Sequence, residues 1–159
     1  CPAHYYTNFT YWTQHCWGVT CVNDMEAMLS YLPISTDNKD QALADLVRCY
    51  ERMMMRSHTN GGYVNLLDEC WKMCEKFNVN IVIMYDHVSC KNVGGLHGLF
   101  EDQARERGIH LIWIPHDVMD PRTVSRREMR EAFNQYMTTV LREEPLDPTL
   151  LDYEDNLSW

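Results

Sequence analysis

Cys90 is the side chain in this sequence best placed to do chemistry. It follows an apolar, β-branched run at 81–85, and its neighbours are Ser89 and Lys91. A structural cysteine usually lies on an apolar stripe, whereas a nearby lysine favours the thiolate, which binds metals and attacks electrophiles. The Gly94-Gly95 pair would let the backbone approach a bulky group. The residues alone leave two interpretations open, a functional thiolate and an inert thiol.

Polar side chains follow each of three predicted strands, as the pairs Asn23-Asp24, Asp86-His87 and His116-Asp117. Because the carboxyl ends of parallel strands meet at one edge of a sheet, such pairs are typical of an α/β binding cleft. Asp and Asn are also common turn formers, and this explanation is favoured for Asp24 and Asp117. His87 and His116 stay candidates for polar ligands or hydrogen-bond donors.

The elements that must position these residues alternate between helix and strand. Apolar runs predict strands at 19–22, 81–85 and 109–114. Helical spacing and caps predict helices at 4–16, after Asp37, over 64–78, over 96–108 and from Ser125, which forms a capping box with Glu128. The strand–helix–strand order favours an α/β fold with an open parallel sheet and helices on both faces. Three strands are few, so a fourth is expected before Cys1.

Composition and charge exclude several classes of protein. With 14 basic and 23 acidic residues, the net charge is −9, which argues against nonspecific nucleic-acid binding. No apolar run is long enough to span a membrane. Seven cysteines without a disulfide or zinc spacing favour a reducing, cytoplasmic setting. We predict an α/β domain over 1–144 and an acidic, solvated tail over 145–159.

The other cysteines are interpreted as core residues. Cys70 and Cys74 share a helical stripe with Leu67 and Trp71, and Cys49 lies within another apolar stripe. Packing therefore explains them better than metal binding.

The segment 79–141 resembles the carboxyl-terminal part of 2-hydroxyacyl-CoA dehydratase subunits, which are relatives of the benzoyl-CoA reductases. The family pattern is a buried strand, a Ser-Cys-Lys loop with nearby glycines, a helix and a second strand. An Asp-x-x-Asp-Pro-Arg loop and an amphipathic helix follow. This sequence has Ser89-Cys90-Lys91, the Gly94-Gly95 pair, the run 117–122 and the helix from Ser125, in that order.

The resemblance implies an enzyme built from two related subunits, each holding a [4Fe–4S] cluster with three cysteines. It makes Cys90 one metal ligand, with Ser89, Gly94 and Gly95 shaping the cluster-binding loop. A separate ATP-dependent iron–sulfur activator would supply one electron. The acyl-CoA substrate, a 2-hydroxyacyl-CoA, would then lose water through a ketyl radical to give a 2-enoyl-CoA.

The other two cluster cysteines belong to an amino-terminal domain of the family that this sequence does not match. We therefore expect the carboxyl-terminal domain of a longer subunit, inactive alone and without a cluster of its own. The alternatives are a benzoyl-CoA reductase-type subunit, a noncatalytic domain that docks a partner subunit, and a structural domain with an inert thiol.

Overall fold

The structure is a computed structural model that describes residues 8–25, 32–117, 119–120 and 122–152. The chain divides into two compact units, one formed by 1–22 with 79–159 and the other by 23–78. The predicted helical start at residue 4 and the strand expected before Cys1 lie outside the described residues.

The described elements follow one another in chain order. The helices are α1 Phe9–Trp17, α2 Lys39–Glu51, α3 Met54–Gly61, α4 Tyr63–Phe77, α5 Lys91–Gly94, α6 His97–Arg107 and α7 Arg126–Tyr136. The strands are β1 Ile81–His87 and β2 His110–His116, and a π-helical turn, Met137–Leu141, and a 3-10 turn, Pro148–Leu150, come last. None of the described helices is long and apolar enough to cross a membrane.

The sheet of the first unit joins β1 and β2 in parallel. Pairing runs from Ile81 opposite His110 to His87 opposite His116. The crossover through α5 and α6 returns the chain to the same end of the sheet, as a parallel pair requires. Gly108, in the left-handed conformation with φ 66°, ends α6 at the predicted residue. The predicted α/β class with an open parallel sheet is confirmed.

Helices cover both faces of this sheet. On one face, Ile112 of β2 lies in a buried core with Phe9 of α1 and Phe133 of α7. On the other face, the Trp113 ring meets Phe100 of α6 edge to face, with 6.2 Å between the ring centroids. This division follows from the strand period, because successive side chains point to opposite faces.

The predicted third strand at 19–22 is wrong, because these residues form no strand. Gly18, with φ 71°, ends α1 and donates its N–H to the Gln14 carbonyl at 3.0 Å. The Val19 N–H donates to the Thr13 carbonyl at 3.1 Å. These two bonds form the capping turn at the end of the helix. The β-branched run therefore leaves the helix through a capping turn instead of joining a sheet.

The second unit, 23–78, is helical in its described part. The side chain of Asn38 accepts from the Asp40 N–H at 2.8 Å and caps α2, so the cap lies one residue beyond the predicted Asp37. As predicted, α4 buries one stripe, Leu67, Cys70, Trp71 and Cys74. The apolar stripe of α2 is exposed instead: Leu43, Leu46, Val47 and Tyr50.

The segment 145–152 contacts the core of the first unit. The Trp12 indole N–H donates to the Leu150 carbonyl at 2.8 Å, and Leu150 and Leu151 pack against the core. The acidic residues Glu143 and Glu144 are exposed, as a solvated segment requires. The division into a domain at 1–144 and a tail at 145–159 stays a prediction.

Candidate functional site

The carboxyl ends of β1 and β2 bring four of the predicted polar residues together. His87 lies opposite His116 in the register, with Asp86 before it and Asp117 after β2. We call this edge the rim. The third predicted pair, Asn23-Asp24, follows no strand and falls in the other unit.

The Cys90 loop, residues 88–96, leaves β1 at the rim and leads to α6. The Val88 N–H donates to the His116 carbonyl at 3.0 Å, and the Cys90 N–H donates to the His87 carbonyl at 2.8 Å. Cys90 then precedes α5, and its carbonyl accepts from the Gly94 N–H at 3.0 Å. The half-buried Cys90 thus sits on a short segment whose backbone is fixed on both sides.

The two glycines of the Cys90 loop meet different surroundings. A Cβ atom added to Gly94 would have nothing within 4 Å, so the surface beyond Gly94 is open. A Cβ atom on Gly95 would lie 3.1 Å from the Lys91 carbonyl. Gly95 therefore lies close to the backbone of the turn, whereas the space beside Gly94 is open.

His87 is bound on the Nδ1 side of its ring. The Ser89 N–H donates to His87 Nδ1 at 3.0 Å. The other nitrogen, Nε2, lies 4.0 Å from Asp117 Oδ1, and both side chains are nearly buried, at 11% and 9% exposure. Because Nδ1 accepts a hydrogen bond, the neutral ring carries its proton on Nε2, facing the Asp117 carboxylate.

Asp117 is a charged turn former, in agreement with the explanation favoured from the sequence. Its Oδ1 accepts from the Met119 N–H at 2.9 Å and from the Asp120 N–H at 3.2 Å. The hydrogen bond from the Met119 N–H is the main reason that the pKa of Asp117 is lowered. The following carboxylate, Asp120, binds the Arg122 guanidinium at 2.7 Å. Positions 118 and 121 of the family-like loop lie outside the described residues.

His116 is the buried member of the rim. It is 4% exposed, and its Nδ1 has no hydrogen-bond partner in the described part of the chain. The pKa of His116 is lowered to about 4, first by its burial and then by the neighbouring His87 ring. The ring is therefore neutral at pH 7.

Sequence reasoning missed a third histidine, His97. Its ring stacks on Trp113 with 3.6 Å between centroids, and its Nε2 lies 3.4 Å from Asp86 Oδ1. Asp86 precedes the Cys90 loop and His97 follows it, so this contact joins the two ends of the loop. It lies on the sheet face opposite His87. The strand period was the available signal, because Asp86 and His87 alternate in β1 and must face different helices.

A groove of about 420 Å³ lies in the second unit and was also missed. It is lined by Leu32, Pro33, Ile34, Ser35, Asp45 and Arg48. Asp45 accepts from the Ser35 N–H, from the Gln41 amide and from Arg48, and the Ser35 bond is the main cause of its lowered pKa. These bonds join the Asp45 carboxylate to Ser35, which precedes α2, and to Gln41 and Arg48 within the helix.

The described residues do not provide a complete metal site. Across 8–25, 32–117, 119–120 and 122–152, no group of three or more His, Cys, Asp and Glu side chains is placed to hold a metal ion. Cys16, Cys70 and Cys74 are buried, and burial raises the pKa of Cys16 to about 11. A three-cysteine set is therefore not assembled among the residues that the structure describes.

Comparison with protein families matches residues 1–137 to the 2-hydroxyglutaryl-CoA dehydratase, D-component. The match covers β1, β2, the Cys90 loop and all of α7. No curated protein and no solved structure matched the chain. Because the family match extends over most of the sequence and includes the whole rim, the chain belongs to the 2-hydroxyglutaryl-CoA dehydratase D-component family.

Proposed function

We propose that this chain is part of an iron–sulfur 2-hydroxyacyl-CoA dehydratase in which Cys90 is a cluster ligand. The reaction is the elimination of water from a 2-hydroxyacyl-CoA to give a 2-enoyl-CoA. It follows one-electron reduction by a separate ATP-dependent activator and passes through a ketyl radical. The observation that carries this proposal is the family match, which includes every residue of the rim.

The surroundings of Cys90 support its role as a ligand. The thiol lies at the carboxyl end of a parallel strand, where α/β proteins bind cofactors. Its backbone is fixed by the His87 carbonyl, and the surface beyond Gly94 is open. Thiolates hold iron–sulfur clusters, and hydrogen bonds around the sulfur tune the cluster potential. Ser89, Gly94 and Gly95 shape this loop.

The same geometry disfavours a nucleophilic pair of Cys90 with His87. Such a pair needs a histidine nitrogen that is free to take the proton of the thiol. The nearest histidine along the chain, His87, accepts at Nδ1 from the Ser89 N–H and turns Nε2 towards Asp117. Its ring is therefore committed to the loop backbone and the carboxylate.

The remaining ligands and the substrate pocket must come from elsewhere. Because no group of three or more metal-ligating side chains is assembled in the described residues, we propose that this chain acts with further cysteines and a second subunit. A heterodimer suits the D-component description of the family. The cytoplasm is the proposed location, because cluster thiols must stay reduced.

The test is a Cys90→Ser substitution in the complete complex, purified without oxygen. We expect iron and acid-labile sulfide to fall, the cluster EPR signal to change and dehydration to be lost. Cys49→Ser is the matched control, because Cys49 is also half-buried and lies in the other unit. Unchanged iron, sulfide and EPR signal in Cys90→Ser would overturn the assignment of Cys90.

Substrate tests with the activator separate the family branches. We expect conversion of a 2-hydroxyacyl-CoA to its enoyl product. Reduction of benzoyl-CoA without dehydration would instead place the complex in the reductase branch. Full activity of a Cys90→Ala complex would favour a noncatalytic docking domain.

A further inference from the structure

His87 makes two different bonds to the Cys90 loop. Its main-chain carbonyl accepts from the Cys90 N–H at 2.8 Å, and its Nδ1 accepts from the Ser89 N–H at 3.0 Å. Two consecutive amides of the loop thus point back at one residue. The first bond can form with any side chain at position 87, but the second requires an acceptor on that side chain.

The surroundings of the ring select the tautomer that can make the second bond. Nε2 lies 4.0 Å from Asp117 Oδ1, and the low pKa of Asp117 keeps that carboxylate charged. A proton on Nε2 is attracted by this charge, which leaves the Nδ1 lone pair for the Ser89 N–H. Asp117 is itself fixed by the backbone N–H groups of Met119 and Asp120.

The neighbouring ring restricts how far His87 can move. His87 and His116 meet edge to face with 5.6 Å between centroids, and His116 is 4% exposed. The 11% exposure of the His87 side chain shows that the ring is packed on most sides. An acceptor held this firmly fixes the backbone that it binds.

We propose that His87 is a positioning residue, which fixes Ser89 and Cys90 by accepting the Ser89 N–H at Nδ1. Its meaning for catalysis rests on the proposed role of Cys90 as a cluster ligand. The positioning itself requires no cluster, because the loop geometry is set by β1, β2 and Asp117. A preorganised thiol loses less conformational entropy when it binds a metal centre.

Two substitutions of similar size separate the Nδ1 bond from the packing of the ring. His87→Asn keeps an acceptor at the position of Nδ1, whereas His87→Gln moves its amide towards the position of Nε2. Both variants lose the aromatic ring, so they are matched. We measure alkylation of Cys90 by iodoacetamide in the full chain before cluster loading, with the exposed Cys21 as an internal reference.

We expect alkylation of Cys90 to rise about three- to tenfold in His87→Gln, as the loss of one hydrogen bond predicts. In His87→Asn, the rate should stay within about twofold of the wild type. Hydrogen exchange at the Ser89 amide should be faster in the His87→Gln variant and stay slow in the His87→Asn variant. Equal rates in both variants, either near wild type or both raised, would overturn the proposal.

The wild-type chain gives a second test that needs no substitution and so covers a failure of His87→Gln to fold. The imidazole ¹⁵N signals of His87 should show Nε2 protonated and Nδ1 unprotonated. A proton on Nδ1 would contradict the inference. Neither measurement uses iron, so a failure of the His87 inference is distinct from a failure of Cys90 to bind a cluster.

Discussion

At the scale of single residues, burial of His116 makes the stability of the first unit depend on pH. The folded ring has a pKa of about 4 against an ordinary value of 6.5, chiefly because it is buried. Between these values the unfolded chain binds more protons than the folded chain. The contribution of neutral His116 to the free energy of unfolding is therefore fully present above about pH 6.5 and is lost as the pH falls towards 4.

We predict that this histidine accounts for about 2–3 kcal/mol of stability lost between pH 7 and pH 4. Urea unfolding at both values measures it in the wild type and in His116→Gln, which cannot take up the proton. His110→Gln, at an exposed position of the same strand, is the control and should keep the wild-type dependence. An identical pH dependence in His116→Gln and the wild type would contradict the prediction.

Residue types and order predicted much of the rim. The turn role of Asp117 and the position of Cys90 directly after β1 follow from local sequence. The contact between His97 and Asp86 does not, because it requires α6 to fold back over Trp113. The Nδ1 bond of His87 depends on the conformation of a turn, which the sequence leaves undetermined.

At the scale of elements, α7 begins with a complete capping box. The Glu128 N–H bonds to Ser125 Oγ at 3.2 Å, and the Ser125 N–H bonds to Glu128 Oε2 at 2.7 Å. The backbone bond from Ser125 lowers the pKa of Glu128, so the charged carboxylate is favoured in the folded chain. The stabilisation of the folded chain by the charged Glu128 carboxylate is present at neutral pH and is lost as the pH falls through the lowered pKa.

Because the capping box satisfies the first amides of α7, we predict that Ser125→Ala lowers the free energy of unfolding by about 1 kcal/mol. Thermal or urea unfolding at pH 7 measures it. Gln135→Ala, an exposed position in the same helix, should change stability by less than about 0.5 kcal/mol. A loss in Ser125→Ala no larger than in this control would show that the cap contributes nothing.

The elements that were mispredicted share a physical cause. The run at 19–22 has β-branched residues, but the capping bonds at Gly18 turn the chain before it can pair. The stripe of α2 has helical spacing, and the helix forms, yet Leu43 and Tyr50 are both 60% exposed. Periodicity predicts which residues share a face, but the partner of that face depends on tertiary structure.

At the scale of the whole molecule, the first unit joins residues from distant parts of the chain. The Leu146 N–H donates to the Cys16 carbonyl at 2.7 Å, and Trp12 reaches the Leu150 carbonyl across 138 positions. No local pattern predicts such bonds, and the predicted tail at 145–159 rests on its acidic composition. The hydrophobic residues Leu150 and Leu151, within that acidic stretch, were the available signal.

These contacts make the role of the carboxyl-terminal segment testable by truncation. A chain ended after Pro145 loses the Trp12 hydrogen bond, the Leu146 bond and the packing of Leu150. The two hydrogen bonds and the half-buried Leu150 and Leu151 together predict a loss of about 2–4 kcal/mol in the free energy of unfolding. Urea unfolding of the truncated and complete chains measures this difference.

A second truncation distinguishes packing from mere chain length. A chain ended after Asp152 keeps every contact described for the segment, and we expect it to be more stable than the chain ended after Pro145. The rate at which Cys16 is alkylated is a second measure of whether the segment is packed on the core. In the complete chain this rate should be low, because Cys16 is buried and its pKa of about 11 keeps the thiol protonated. Ending the chain after Pro145 removes the Asp147 carbonyl that Cys16 Sγ meets at 3.6 Å, so alkylation of Cys16 should accelerate. Equal stability and equal Cys16 reactivity in both truncated chains would instead support the prediction of a solvated tail for 146–152.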